Sequence, residues 1–309
     1  MQGTVYKSTG SWYQVKAEDG QRYDCRIKGK FRIQDIKSTN PIAVGDQVKF
    51  RLESVAGENV GQIEEILPRK NYMVRKAVKL SKQTHIIAAN IDQVFLLITL
   101  ENPTTFTVFI DRFLATAEAY GIPSVLLFNK ADTFDSVSGE ATHHLMDLYA
   151  GIGYTCLEIS AKTGVGTDQV AALMKGKTSM FAGHSGVGKS TLINRIAPEL
   201  QLRTMETSEQ HRQGQHTTTF AEMYDLSFDA RIIDTPGIKG FGLVDMEKEE
   251  IGDYFPEFFA LKSECKFNNC LHVDEPKCAV KQALEEGRIA ESRYHSYLQI
   301  LLGEDETYR

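Results

Sequence analysis

Short runs of alternating apolar and polar residues open the chain. Thr4–Tyr6, Trp12–Lys16, Tyr23–Ile27, Gln47–Leu52 and Gly61–Leu67 carry β-branched or aromatic residues, with turn signals at Thr9-Gly10, Asp19-Gly20 and Gly45-Asp46 between them. Five strands in about 70 residues predict a small barrel of the OB type over residues 1–68. Residues 69–90 then read as a basic linker. From Ile91 the pattern changes to strands alternating with helical segments, which predicts a parallel sheet with crossover helices. Its strands are expected at Gln93–Leu100, Ser124–Phe128, Thr155–Ile159, Ser179–Ala182, Ala221–Leu226 and Arg231–Ile233. The helices are expected at 109–120, 140–150, 167–175 and 189–197. This α/β unit spans 91–243. Beyond it the sheet pattern stops, and 244–309 holds a Cys/His cluster and a charged helical stretch from Ala279 to about Leu302.

Composition changes this picture little. The 309 residues are 42% hydrophobic and 25% charged, which excludes a disordered or fibrous chain. The strongest apolar run, Val94 to Thr99, is far short of the ~20 residues of a membrane span, so no membrane association is expected. The N-terminus lacks a basic start followed by an apolar stretch, so no signal peptide is expected. Five cysteines, three of them within 265–278, are too few for a disulfide scaffold and predict a reducing, cytoplasmic setting. Cys25 and Cys156 sit alone in strand-like segments and read as core. A monomer is expected.

Charge changes it more. The net charge is −6, yet residues 1–82 sum to +7 and the remainder to −13. Six basic residues (Arg69, Lys70, Arg75, Lys76, Lys79, Lys82) and no acidic one fall between Pro68 and Lys82. A basic first quarter on an acidic body points to a polyanion partner for that quarter.

Gly183, His184, Ser185, Gly186, Val187, Gly188, Lys189 and Ser190 match the phosphate-binding loop G-x-x-x-x-G-K-S between a buried strand and a helical stretch opening at Thr191. Glycines let the backbone wrap phosphates, and the N–H groups at the helix start face the anion. Lys189 would reach the β- and γ-phosphates, and the Ser190 hydroxyl would ligate Mg²⁺. Asp234-Thr-Pro-Gly237 follows an apolar strand. Asp234 can hold Mg²⁺ through water there, and the Gly237 N–H can face the γ-phosphate. Asn129, Lys130 and Asp132, in N-K-A-D, end the strand Ser124–Phe128. A carboxylate such as Asp132 accepts from N1–H and the exocyclic amine of guanine, whereas adenine would leave it unpaired. Ser160, Ala161 and Lys162 end the next strand, where a backbone N–H could serve guanine O6.

These four motifs resemble those of the translation-factor-like GTPases, but in rotated order. N-K-A-D and S-A-K come first, then the phosphate loop, Gln215-His-Thr-Thr-Thr219 and D-T-P-G, as in a circular permutation. With the barrel and the Cys/His cluster, nearly the whole chain resembles the ribosome-small-subunit-dependent GTPases of the RsgA or YjeQ type. G-x-S-G-V-G-K-S, Q-H-T-T-T and I-A-A-N-I-D-Q at 87–93 look like that family's own wording. The resemblance implies slow GTP hydrolysis, stimulated by the small ribosomal subunit, during late subunit maturation. The expected fold is therefore an OB-type barrel, a permuted α/β P-loop GTPase domain and a mainly helical zinc module.

In Ras-like enzymes a glutamine directly after D-x-x-G orients the attacking water. Here Ile238 occupies that place and cannot hydrogen-bond, so hydrolysis by the free protein is expected to be weak. His216 is the nearest polar switch candidate, since a neutral imidazole can orient water. Thr218, ahead of Thr217, is expected as the second Mg²⁺ ligand. Some related GTPases hold K⁺ with a phosphate-loop asparagine, and Gly186 at that place argues against such a mechanism. A rival reading is a GTP-dependent binding switch without catalysis, which Ile238 would suit. A tRNA- or mRNA-binding regulator differs only in partner.

Cys265, Cys270, His272 and Cys278 supply three thiolates and one imidazole within 14 residues, the ligand set of a closed tetrahedral Zn²⁺ site. One structural zinc per chain is expected, beside Mg²⁺ with GTP or GDP. For the barrel, stacking candidates are Trp12, Tyr13, Tyr23 and Phe31, interleaved with Arg22, Arg26, Lys28, Lys30 and Arg32. Strand alternation would bury every second aromatic. Charge and resemblance both favour the small subunit and its rRNA as partner.

Overall fold

Period-two burial shapes the first five strands: β1 (Gln2–Ser8), β2 (Tyr13–Ala17), β3 (Arg22–Ile27), β4 (Gln47–Val55) and β5 (Glu58–Ile66). The computed structural model describes residues 1–27, 41–55, 58–76, 84–202, 221–234 and 247–303. Val5, Tyr13, Val15, Cys25, Val48, Phe50 and Ile63 turn inward to form one core. β1 pairs with β2, β2 with β3, β3 with β5 and β5 with β4, and β4 returns to β1. The ladder therefore closes into the expected barrel.

The segment read as a basic linker departs from expectation. It contains β6 (Tyr72–Lys76) and β7 (Thr84–Ala89), paired as an antiparallel hairpin. Met73, Val74, Ile86 and Ala88 are buried, an apolar signal that the surrounding lysines and arginines obscure. Arg69 of the basic run is an internal brace, its Nε 2.6 Å from Asp46 Oδ1 and its guanidinium donating to the Pro41 carbonyl. Gly45, at φ +91°, lets the Ala89 carbonyl come where a Cβ would sit, and so the hairpin seats against the barrel. Lys79 and Lys82 lie outside the described residues.

The second unit is built on β8 (Gln93–Ile98), β9 (Ser124–Phe128), β10 (Thr155–Glu158), β11 (Thr178–Ala182), β12 (Glu222–Leu226) and β13 (Ala230–Asp234), in the order β10-β9-β8-β11-β13-β12. All pairs are parallel except β12–β13. β8 and β11 are buried along their whole length, as central parallel strands must be. Side chains of β8 alternate between two cores. Val94, Leu96 and Ile98 meet α1 (Thr107–Ala119) on one face. Phe95 and Leu97 meet α3 (Thr167–Met174) and α4 (Lys189–Ile196) on the other. α2 (Ser136–Ile152) starts four residues before its expected position because Asp135 and Ser138 form a reciprocal cap.

Past residue 246 come two single-turn helices, Lys248–Ile251 and Pro256–Phe259, then α5 (Ala279–Glu285) and α6 (Glu291–Leu302). The one helical stretch expected over 279–302 is two helices, broken where Gly287 takes φ +72°. α6 packs on α1, and β12 pairs with barrel strand β1, so both flanking modules join the α/β unit directly. Among the described residues no helix is long and apolar enough to cross a membrane.

Candidate nucleotide site and metal centre

β11 delivers the chain to the loop 183–188, and α4 carries it away. Gly183, Gly186 and Gly188 have φ of +143°, +86° and +102°, so this turn needs backbone that L side chains rarely adopt. A Cβ on Gly183 would lie 2.8 Å from the Leu97 carbonyl oxygen, and one on Gly188 would collide with the Asn129 amide. Lys189 Nζ donates to the Gly183 carbonyl at 2.8 Å, curled over its own loop. Ser190 and Thr191 follow it in the first turn of α4. The His184 ring packs on Phe109 of α1, with centroids 4.0 Å apart.

Asp234 ends β13 beside this loop. Burial pushes its carboxyl up to about 6, opposed by Lys189 and reinforced by Glu222. Burial likewise lowers the Lys189 ammonium, opposed by Asp234. Both charges are held in a desolvated place with an anion-binding loop next to them. A triphosphate with a divalent cation would rebalance them.

The next two loops leave the ends of β9 and β10. Asn129 is buried and braces three pieces of the site. Its backbone N–H donates to Ile98 O at 2.9 Å, its Nδ2 to Val187 O at 2.7 Å, and its Oδ1 accepts from Ala161 N at 2.9 Å. Lys130 takes φ +73°, and its Nζ donates to the Asn102 carbonyl. Asp132 is exposed and accepts from Ser160 Oγ at 2.5 Å, and the Thr163 N–H donates to that same Oγ at 3.1 Å. The structure thus brings Asn129, Asp132, Ser160, Ala161 and the phosphate loop into one connected network. Exposed Lys162 also lies in this loop.

Sequence reasoning missed Arg195. From α4 its guanidinium donates to the Ala161 and Lys162 carbonyls, joining the phosphate-loop helix to the 160–163 loop. No spacing rule points to it. The candidates His216, Thr218 and Gly237, with Ile238, lie outside the described residues.

On the barrel, alternation divides the aromatics. Tyr13 is core, so its candidacy for stacking is withdrawn. Trp12 is 37% exposed with the Arg26 guanidinium 3.7 Å from its ring centroid. Tyr23 is half-buried against Phe50. Arg22 leans over Tyr6 toward Asp225. Lys28, Lys30, Phe31 and Arg32 lie outside the described residues.

The ligand atoms of Cys265, Cys270, His272 and Cys278 all lie within 4.8 Å of one another, and all four residues are buried. His272 Nδ1 is 3.3 Å from Cys278 Sγ and 3.7 Å from Cys265 Sγ. A tetrahedral zinc ion would place a nitrogen and a sulfur ligand roughly 3.6 Å apart, so the donor set and its spacing fit. Burial pushes the Cys270 thiol up to about 12, with help from the neighbouring thiols. A cation at the centre would reverse that cost. α6 holds the loop backbone, Tyr294 and Tyr297 each donating at 2.6 Å to the His272 and Leu271 carbonyls. Glu275 caps the loop from the other side. Burial opposes its charge, but the Leu271 and Val273 N–H groups hold it below the usual carboxylate range.

Comparison with known families decides what this assembly is. Residues 66–244 match the RsgA GTPase model, and residues 2–59 match the RsgA N-terminal domain. The chain belongs to the RsgA GTPase family. It is a GTP hydrolase, and its barrel and permuted α/β domain are those of that family. The Small ribosomal subunit biogenesis GTPase RsgA of Christiangramia forsetii is 68% identical over 309 residues, all of this chain and 98% of the relative. The protein of the same name from Flavobacterium johnsoniae is 64% identical over all of this chain and 95% of its own length. Among solved structures, YjeQ from Thermotoga maritima matches with a TM-score of 0.78 and 37% identity, over 98% of this chain and 97% of that one. YloQ, a circularly permuted GTPase, matches at 0.73 and 30%, over 100% and 96%.

Proposed function

We propose that this GTPase acts in biogenesis of the small ribosomal subunit, hydrolysing GTP slowly alone and faster on the subunit. The observation that carries the reading is the network through Asn129, which connects the phosphate loop to the loops of Asp132 and Ala161. Full-length identity to proteins named for that role supports the partner. The chain is read as a barrel over 1–68, a connector over 69–90, a GTPase unit over 91–243 and a zinc module over 244–309.

In this reading Lys189 leaves the Gly183 carbonyl to take the β- and γ-phosphates, and N–H groups of 184–190 line the anion. Mg²⁺, when bound, neutralises charge building between the phosphates. Ser190 and Thr218 would hold it directly, and Asp234 would do so through water. Asp132 accepts from N1–H and the 2-amine of guanine, and a backbone N–H of the 160–162 loop serves O6. Ile238 supplies no hydrogen bond to the attacking water, so His216 is the residue that orients it, brought into place by the subunit. The Trp12–Arg26 stack offers an aromatic face and a cation to rRNA. Cys265, Cys270, His272 and Cys278 would hold a zinc ion as a staple of the C-terminal module, a full set of four ligands that leaves no place for chemistry.

Multiple-turnover phosphate release tests the reading. Small subunits are expected to raise the rate at least tenfold, and His216→Ala to remove most of that gain. A rate indifferent to subunits would leave a binding switch as the better account. Guanine recognition is tested by Asp132→Asn, which is expected to shift preference toward xanthosine diphosphate, whose 2-oxo group accepts from the new amide. Unchanged preference would move base recognition elsewhere.

A further inference from the structure

Three adjacent strands carry a row of charge across the boundary between barrel and GTPase unit. Lys7 on β1 is the register partner of Glu222 on β12, and Glu222 is the register partner of Asp234 on β13. Directly opposed residues of antiparallel ladders share a face, so the three side chains stand side by side. Lys7 Nζ lies 3.1 Å from Glu222 Oε2. At the other end of the row the Lys189 ammonium acts on the Asp234 carboxyl through space, while its Nζ donates to the Gly183 carbonyl. The lysine that pairs with Glu222 thus belongs to the barrel, and the carboxylate it holds stands beside Asp234.

The barrel is shaped to reach that far. The β1–β2 register shifts between Val5 and Lys7, and such a bulge re-aims the side chains beside it. Tyr6 then donates to Asp225 Oδ1 at 2.6 Å, and Lys16 Nζ holds Asp225 Oδ2 at 2.8 Å. These contacts fix β12 against β1 next to the Lys7–Glu222 pair. We propose that Lys7 is a positioning residue of the nucleotide site, holding the Glu222 carboxylate toward the barrel and away from the cation that Asp234 serves.

This inference rests on the reading of Asp234 as the Mg²⁺-site aspartate. A surface ion pair that only joined two domains would leave the metal site indifferent to its loss. Lys7 makes a different demand, because its partner is the carboxylate next to Asp234. Without Lys7, an uncompensated negative charge stands on the strand beside Asp234, and Coulomb attraction would strengthen binding of a cation there.

The test is Mg²⁺ titration of fluorescent GDP bound to the full-length chain. Lys7→Met is expected to lower the half-saturating Mg²⁺ concentration about two- to tenfold. Lys7→Arg is expected to keep the parent value. On a Glu222→Gln background Lys7→Met should have no further effect, since no carboxylate remains to be released. General loosening of the joint would weaken Mg²⁺ binding, so the expected sign separates positioning from mere support. A half-saturating concentration that rises or stays unchanged in Lys7→Met overturns the proposal, as does an effect that persists with Glu222→Gln. GDP binding by the parent that ignores Mg²⁺ altogether overturns the reading of Asp234, and the proposal with it.

Discussion

The joints that hold the two flanking modules to the GTPase unit each carry a cluster of charge, and the two clusters differ in their access to water. At the barrel joint Asp225 collects the Tyr6 hydroxyl and Lys16, with the Arg22 and Arg231 guanidiniums at 3.9 and 3.7 Å. Its side chain is 37% exposed. Burial there raises the carboxyl, but Lys16 and Tyr6 outweigh it and hold Asp225 below the usual range. At the other joint Arg293 of α6 lies 2.6 Å from Asp111 of α1 and 2.7 Å from Glu257, and Tyr149 donates to Asp111 at 2.7 Å. Arg293 and Asp111 are 1% and 0% exposed. Exposed pairs are screened and weak, whereas removing one member of a buried pair strands the other charge without solvent. The charged part of the barrel's attachment is therefore one that salt and competing anions can adjust, beside the buried Tyr6, Val44, Met73 and Ile87 that share the GTPase unit's core. The C-terminal module is attached as an extension of the core.

The largest test of this contrast is removal of the metal. Structural zinc contributes on the order of 10 kcal/mol to small modules of this kind. Chelation, or Cys270→Ser, is expected to open residues 247–303 to hydrogen exchange while GDP binding survives. Elemental analysis should find one zinc per chain beforehand. If barrel amides opened first, the ranking of the joints would be reversed. Next in size is Arg293→Met, which leaves Asp111 buried and unpaired. It is expected to cost about 3–5 kcal/mol in denaturant unfolding, partly recovered when Asp111→Asn is added. A loss below about 1 kcal/mol would place this joint in the same class as the barrel's.

Much of the site was legible because its chemistry is local. The phosphate loop, N-K-A-D, S-A-K and the Cys/His cluster each fit within 14 residues or fewer, and short spacing preserves geometry. Long-range register is not written that way. Arg293 and Asp111 are 182 positions apart, and Lys7 and Glu222 are 215 apart, so only the folded sheet and helices reveal them. The N-K-A-D motif marks Asn129 as part of the site, but its bracing of Val187 and Ala161 is visible only in three dimensions. The hairpin β6–β7 is hard to see in the sequence because six basic residues surround its buried Met73, Val74 and Ile86. Tyr13 and Trp12 are neighbours of one chemical kind, and strand phase alone sends one inward and the other out.

The smallest predicted effect bears most directly on the contrast. Asp225→Asn keeps the side chain's shape and leaves an oxygen to accept from Tyr6. It removes the charge that Lys16, Arg22 and Arg231 share, so three cations then face one another across the joint. Because the carboxylate is partly exposed, the loss is expected to be about 1 kcal/mol or less. Hydrogen exchange of the β1 and β12 backbone amides should quicken accordingly, by about threefold at low salt. Raising salt toward 1 M shortens the Debye length to about 3 Å, so parent and variant should then exchange alike. Over the same range the amides of α6 around Arg293 should not respond, since ions do not reach that pair. A parent–variant difference that persisted unchanged at high salt would mean that Asp225 works through hydrogen-bond geometry alone. The two joints would then differ in degree of burial, and the barrel's attachment would not be open to adjustment by a polyanion.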